Sequence, residues 1–567
     1  MDAEQIDGNA IQVKQFREIL IWPLQIESPR HCAPAQNGSE NWYLECVRHF
    51  ESACGWQETD LIDRETARSK ITQYAEFVYF HPFVQRFLYN TDQKDCPKKT
   101  ERIPGLHVFR RGDIKKVGIK LNPVSLDLEL DVDRVHLYLF EMGVALLVVE
   151  ISYDADHDPS APLSLSQAHN ILDSFRRVYP PYWESGHPGH CPDEVTWILD
   201  TGERASANYQ EMNCLIHFVT DTLAPPVSAH WQYLLEPMVP FRSINSRARY
   251  CYRQIGDERI PLMAYVAIDD PRSITGGDWV RLAFADDCGD SRAFPYSPDF
   301  LRDFEGRHCY DRYWYNPPGG RIRTGYEWMN TRYLCAGYSF VMVGQTGSKF
   351  FSDDETGGLA HFRHHYFQMG LIVHFHKAAL LVLSNRLSKA VESFSESADL
   401  RDLKDFNEQV ERILRDFLHF SQRYWFQEIS NQTQAIDLFE WWSQHLRVRE
   451  LFEFVRREAR DINDYLDVIE EQRAANTTVR LTVVASSGFI FTLIAGFMGM
   501  NIFKETDPLG LWFLAFSLLA FLLVVSTVLI SDRLSNLIAD LANIQYPPRK
   551  RLTNAFRKFF SPKAKNF

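Results

Sequence analysis

Leu481-Thr-Val-Val-Ala-Ser-Ser-Gly-Phe-Ile-Phe-Thr-Leu-Ile-Ala-Gly-Phe-Met-Gly-Met-Asn501 contains no Asp, Glu, Lys or Arg. A second run of the same character spans Leu509 to Ile530. Each is close to the ~20 residues that an α-helix needs to cross a hydrocarbon core about 30 Å thick. Only Ile502 to Pro508 joins them, so the chain is expected to cross a membrane, turn tightly and cross back. Charge sets the orientation. Arg473 and Arg480 precede the first span, and Arg533, Arg549, Lys550, Arg551, Arg557, Lys558, Lys563 and Lys565 follow the second. The loop offers Lys504 against Glu505 and Asp507. The positive-inside rule then makes both termini cytoplasmic, as in an integral protein of the inner or plasma membrane. The basic tail, 531–567, either rests on anionic membrane lipid or simply flanks the span.

The rest of the chain is large and acidic. Its 567 residues have room for more than one domain, and a formal charge of −13 argues against a nucleic-acid partner. The ten cysteines all precede Lys349 without a C-x-x-C pair, which suits reduced thiols in a cytoplasmic domain. Residues 1–354 read as α/β. Val135 to Glu141 alternates, Met142-Gly143 turns, and Val144 to Ile151 resumes as a strand buried on both faces. Ile260 to Ile268, Trp279 to Ala285 and Tyr333 to Val343 are further strand candidates, while Glu65 to Phe80 and Leu165 to Val178 carry helical periodicity. Residues 355–480 read as a helical region. Phe452, Val455, Ala459, Ile462, Leu466 and Ile469 form a coiled-coil-like seam. No Pro or Gly separates that seam from Leu481, so a stalk helix is expected to run into the first span.

One hairpin cannot enclose a pore, so transport through 481–530 would require several copies around an axis. In the first span Ala485, Gly488, Thr492, Gly496 and Gly499 recur on one helical face. Such a face lines a narrow pore, or lets helices pack closely, or does both. Asn501 ends the run; its neutral amide can accept hydrogen bonds from the water shell that Mg²⁺ gives up reluctantly, or it can serve as a helix C-cap.

The segment Thr478 to Asn501 resembles the first transmembrane helix of the CorA magnesium-transporter superfamily. The likeness rests on Gly499-Met500-Asn501 followed by a short loop, a second span and a basic tail, and on Leu493-Ile-Ala-Gly496 ahead of the signature. Tyr465 to Asn476 is similar to that family's stalk helix. The resemblance implies a funnel-shaped homopentamer with an α/β cytoplasmic domain, a long helical stalk and two transmembrane helices. It implies channel-like movement of Mg²⁺, with Co²⁺ and Ni²⁺ accepted. By offset from the signature, Gly499, Met500 and Asn501 would form the filter, and Thr478, Leu481, Ala485, Phe489, Thr492 and Gly496 would line the pore. Met498 stands where the family carries an aromatic residue, Phe489 is bulky for a pore wall, and the N-terminal region is longer than usual.

Two further constellations bear on metals. The family's gating idea, Mg²⁺ bridging carboxylates between cytoplasmic domains, has candidates in Asp461, Asp464 and Asp467, which otherwise form a solvated helix face. His361 and His365 are spaced to share a helical face and to supply half of a Zn²⁺ site; His364, His374 and His376 lie nearby. That pattern fits a zinc-transporting relative, or a helix with several satisfied histidines. No enzyme motif stands out. Gly344-Gln-Thr-Gly-Ser-Lys349 lacks the phosphate-loop spacing, and H-E-x-x-H and G-x-S-x-G are absent. No enzymatic activity and no organic cofactor is expected. A membrane-anchored signalling or scaffold protein is the remaining class.

Overall fold

The computed structural model describes residues 11–27, 42–52, 55–61, 69–89, 105–121, 126–157, 162–184, 187–209, 227–241, 249–290, 296–317, 322–392 and 400–499, together with Leu518, Leu519 and Leu522. Among them a mixed 15-stranded sheet dominates. Its main path uses β1 (Gln12–Glu27), β2 (Ile114–Leu121), β3 (Leu126–Phe140), β4 (Val144–Asp154), β5 (Glu194–Leu199), β6 (Arg204–Asn208), β7 (Leu262–Ile268), β8 (Cys309–Tyr310), β9 (Arg332–Cys335) and β10 (Ser339–Gln345). The spatial order is β6-β5-β2-β3-β4-β1-β7-β10-β9-β8. The β7–β10 pair is parallel, with Leu262 opposite Ser339; β1 runs antiparallel to both neighbours, with Ile19 opposite Glu150 of β4 and Met263 of β7.

The helices α1 (Leu165–Ser174), α2 (Gly276–Phe284), α3 (Phe367–Glu392), α4 (Leu400–His419), α5 (Thr433–His445) and α6 (Val448–Gly499) complete the part that matters here. Because side chains alternate along a strand, β1 sends Phe16, Leu20, Trp22 and Leu24 to one face. They join one core with Ile171 and Phe175 from and beyond α1 and with Val280 and Leu282 of α2. The opposite face meets α3 and α5. Phe140 stacks on Phe375 with centroids 4.0 Å apart, and Phe340 stacks on Trp442 at 4.7 Å. One compact unit runs to Arg456 and a second begins at Arg457, so α3, α4 and α5 belong with the sheet.

Several expectations from the sequence meet this architecture directly. The hairpin around Met142-Gly143 is β3–β4, with Gly143 at φ 78° and β4 buried along nearly its whole length. Trp279 to Ala285 is not a strand: it lies in α2 up to Phe284, and Ala285 ends the helix at φ 51°. Thr275 caps that helix by accepting from the Asp278 N–H, and Trp279, Val280, Leu282 and Ala283 are buried from it. Tyr333 to Val343 is two strands, β9 and β10, because Gly337 turns the chain at φ 85°. The helical region is interrupted without Gly or Pro: 425–432 is non-helical, and Arg447 takes φ 52° between α5 and α6. From Val448 the helix then continues unbroken for 52 residues. Gly358–Glu392 has the length and a mean hydropathy of 1.3 expected of a membrane span, yet 83 % of its apolar window is buried inside the protein, so it is a core helix.

Two glutamates sit on opposite faces of the sheet centre, both fully buried. Burial alone would raise the Glu150 carboxyl, but Arg134, then Arg363 and Arg17, hold it down at about 2. Arg134 Nη2 lies 3.0 Å and Arg363 Nε 2.8 Å from it. Among the described residues Glu18 has no hydrogen-bond partner on either carboxylate oxygen. Its burial, opposed by the charge of Arg176, pushes it up from 4.5 to about 8. Between those values the folded chain holds one more proton than the unfolded one, so stability contributed at Glu18 falls as pH rises across that window. Glu18→Gln should therefore melt at the same temperature as wild type below about pH 5 and gain on the order of 2–4 kcal/mol relative to it by about pH 8. Thermal melts of the full chain that track in parallel across that range would contradict this account of Glu18.

Candidate functional site

Helix α6 carries most of the residues singled out in the sequence. Its lower-numbered part shows the seam: Val455, Ala459 and Leu466 are buried, and Phe452, Ile462 and Ile469 half-buried. Asp461, Asp464 and Asp467 are exposed; Asp467 accepts from Asn463 Nδ2 at 3.2 Å.

Further along, the helix reaches Gly499. Met500, Asn501 and the loop to Pro508 lie outside the described residues, as does the second span 509–530 apart from Leu518, Leu519 and Leu522, which are helical and exposed. The residues that the resemblance assigns to a pore wall lie on α6. Thr478, Leu481, Ala485, Phe489, Thr492 and Gly496 are all exposed in the single chain, Leu481 at 65 % and Phe489 at 68 %. A Cβ built on Gly488 or Gly496 would meet nothing within 4 Å. These glycines therefore serve no packing contact within the described protomer.

The hydroxyls on this stripe have a defined chemistry. Thr478, Thr482 and Thr492 each donate to the carbonyl four residues earlier, at 2.8 Å. The proton is thus satisfied by the helix itself, and the oxygen lone pairs face away as acceptors. An uncharged acceptor on an exposed helical face can take hydrogen bonds from water bound to a cation without binding the bare ion.

The histidines fall elsewhere. The His361 and His365 rings meet edge to face at 4.7 Å. Burial, aided by the charge of His364, lowers His361 below the ordinary imidazole range; burial, aided by His361, lowers His365 to about 4. No His, Cys, Asp or Glu joins them as a third ligand among the described residues. Their neighbours are committed to packing. His364 Nδ1 lies 2.9 Å from Glu76 Oε2, and His376 Nε2 lies 2.6 Å from the Tyr424 carbonyl. Glu76 also accepts from Tyr89 Oη at 2.9 Å and Gln368 Nε2 at 3.0 Å. Burial would raise the Glu76 carboxyl, but these bonds, led by His364, more than offset it and hold it below its ordinary range.

Sequence reasoning missed a different cluster: Asp173, His190 and Asp287, whose ligand atoms all lie within 4.8 Å of one another. Its members come from α1, the loop ahead of β5 and the loop after α2, so no spacing rule brings them together. The visible signals are His190-Cys-Pro-Asp193 and Asp286-Asp-Cys288, acidic and thiol-bearing pairs in turn-rich stretches.

No protein-family model matches the chain, and a search of curated proteins finds no match.

Glu76 gives a direct test of the structural role assigned to the histidine-bearing segment. Glu76→Ala would leave the buried amide of Gln368 and the half-buried donors of Tyr89 and His364 without their acceptor, the buried donor worth about 1–3 kcal/mol and the other two toward the lower end of that range. The variant should lose roughly 3 kcal/mol or more in chemical denaturation; a loss under about 1 kcal/mol would mean that the network is not what holds this segment.

Proposed function

We propose that the chain is a channel-type transporter of divalent metal cations, Mg²⁺ first and Co²⁺ and Ni²⁺ as accepted ions. It works as a homopentamer in the inner or plasma membrane with both termini in the cytoplasm. The observation that carries the reading is the exposed stripe on α6. An unbroken helix presents Thr478, Leu481, Ala485, Phe489, Thr492 and Gly496 as exposed residues on one face, and in sequence it leads into Gly499-Met500-Asn501.

The mechanism follows from neutral acceptors. A ring of Asn501 amides at the outer end takes hydrogen bonds from the water shell of an arriving Mg²⁺, so the ion is selected without the cost of stripping it. A second ring, the Thr492 hydroxyls, offers the same chemistry deeper in the span, with the threonine protons already occupied by the Gly488 carbonyls. No carboxylate stands in the span to trap a bare ion. Leu481 supplies the apolar constriction. The membrane potential drives the flow at about 2.3 kcal/mol per charge per 100 mV, hence about 4.6 kcal/mol for a divalent ion. Cytoplasmic Mg²⁺ bridging Asp461, Asp464 and Asp467 between neighbouring copies closes the channel.

Metal flux into liposomes tests the rings. Asn501→Ala should cut Mg²⁺ uptake by about fivefold or more, the factor matching roughly 1 kcal/mol for a lost hydrogen bond. Thr492→Val should lower it too, and Thr492→Ser should restore it. Flux equal to wild type in Asn501→Ala would remove the amide ring from the mechanism, and no flux from any protein would favour the anchored-scaffold class. Gating has its own readout. Mg²⁺ should slow trypsin cleavage of the cytoplasmic part, and the combined Asp461→Asn, Asp464→Asn and Asp467→Asn variant should lose that protection. Identical digestion patterns with and without Mg²⁺ would leave gating by this face without support.

A further inference from the structure

The cluster beside α1 has the donor set of a metal centre. Asp173 is on the last turn of α1, with its side chain 3 % exposed. Its two oxygens are differently engaged: Oδ1 accepts from Arg177 Nη2 at 2.7 Å, and Oδ2 lies 2.5 Å from His190 Nδ1. Arg177 is also held by Glu258 Oε1 at 2.7 Å, so it is fixed on one side of Asp173 and leaves Oδ2 to the histidine.

His190 occupies φ 57°. A left-handed backbone is unfavourable for a residue with a Cβ, and such conformations concentrate at sites where a side chain must be aimed. Here the turn aims the imidazole at Asp173. Asp287 completes the group from the loop after α2. It is exposed and has no hydrogen-bond or ion-pair partner among the described residues. Asp173 and Asp287 thus bring two carboxylates and an imidazole within 4.8 Å of one another, an arrangement that a cation relieves.

We propose that Asp173 Oδ2, His190 Nδ1 and one carboxylate oxygen of Asp287 form a divalent transition-metal site, with Zn²⁺ the ion of best fit. Tetrahedral Zn²⁺ holds N and O donors at about 2.0–2.2 Å, which sets the donors ~3.4 Å apart, within the span these three atoms already occupy. The imidazole turns preference away from Mg²⁺ and Ca²⁺, which take oxygen ligands, toward Zn²⁺, Co²⁺ and Ni²⁺. On binding, the proton shared by His190 and Asp173 leaves to solvent and the ion takes its place, the gap between the two donors widening from 2.5 Å. Three protein ligands leave a fourth position for water. Cys191 and Cys288 neighbour the ligands in sequence but are not among the mutually close donors. The ion ties α1, the loop ahead of β5 and the loop after α2 together on one face of the sheet. The site does not depend on the transport reading.

The experiment uses the full chain in detergent, stripped with a chelator and titrated with Zn²⁺, then with Co²⁺ as a visible reporter. Wild type should take up one ion per chain with the intense absorption of four-coordinate Co²⁺, and Zn²⁺ should raise its melting temperature. His190→Ala and Asp287→Asn should each weaken this binding by roughly 100-fold or more, since even outer-shell changes cost about 10–100-fold. Asp287→Asn, an exposed change, should leave the metal-free melting temperature at the wild-type value. Asn501→Ala, and the pair His361→Ala and His365→Ala, should keep the Co²⁺ spectrum intact, whatever happens to flux. Equal Zn²⁺ affinity in wild type and Asp287→Asn, or only the weak bands of hydrated Co²⁺ in wild type, would overturn the proposal.

Discussion

Strand β1 is apolar on both faces, and a strand of that kind is stable only when each side is covered by something dry. That requirement organises the unit ending at Arg456. On one side Phe16, Leu20, Trp22 and Leu24 meet the layer of α1 and α2. On the other, Ile19 and Ile21 of β1 and Val148 of β4 lie fully buried on the face that α3 covers. Helix α3 is as apolar as a membrane span because it has to fill the space between a sheet and α5, where Gly370 lets Trp442 approach so closely that a Cβ would sit 2.5 Å from its ring. Hydropathy alone does not tell lipid from a protein core as solvent. The burial of 83 % of the helix's apolar window does.

The same covering makes every charge inside it expensive, and the two central glutamates show how the cost is met. Ile19 pairs with Glu150 and Glu18 pairs with Ile151, so the acids project to opposite faces of adjacent strands. On the α3 side, three guanidinium groups converge on Glu150 and keep it ionised. Such a pairing rarely adds net stability, but losing one partner is strongly unfavourable. On the α1 side, Arg176 turns its Nη2 to the carbonyls of Phe284 and Ala285 instead, and Glu18 stays neutral. Arg177, itself buried, pairs instead with Glu258 and with Asp173, a second interior carboxylate that is kept by a charged partner.

How much of this was legible in the sequence depends on what enforced each feature. The β3–β4 hairpin could be read because Gly143 marks its turn and alternation marks its strands. Helix α2 could not: an unbroken apolar run suits a buried strand and a buried helix equally, and the deciding signal was the capping Thr275 upstream. The break at Arg447 was hidden because a left-handed arginine has no sequence signature, unlike the glycine at Gly337. The continuity of α6 from its seam to Gly499 was legible, since it follows from the absence of breakers. The compact unit extends past 354 to Arg456 for a tertiary reason, the need to cover β1. The Asp173 cluster is tertiary in the same sense, as is the commitment of His364 to Glu76.

Gly488 and Gly496 pose the sharpest question about α6. A glycine inside a helix costs about 1 kcal/mol relative to alanine, and among the described residues neither has a contact that a Cβ would block. Two uses would repay that cost: a helix backbone that approaches closely across an interface, and, in the proposed pore, a lumen wide enough for an ion that keeps its water. Thr478, Thr482 and Thr492, each with its proton tied to the helix, add acceptors to the same face: in an interface these oxygens take hydrogen bonds from a neighbouring helix, and in the proposed pore they take them from the water shell of a cation.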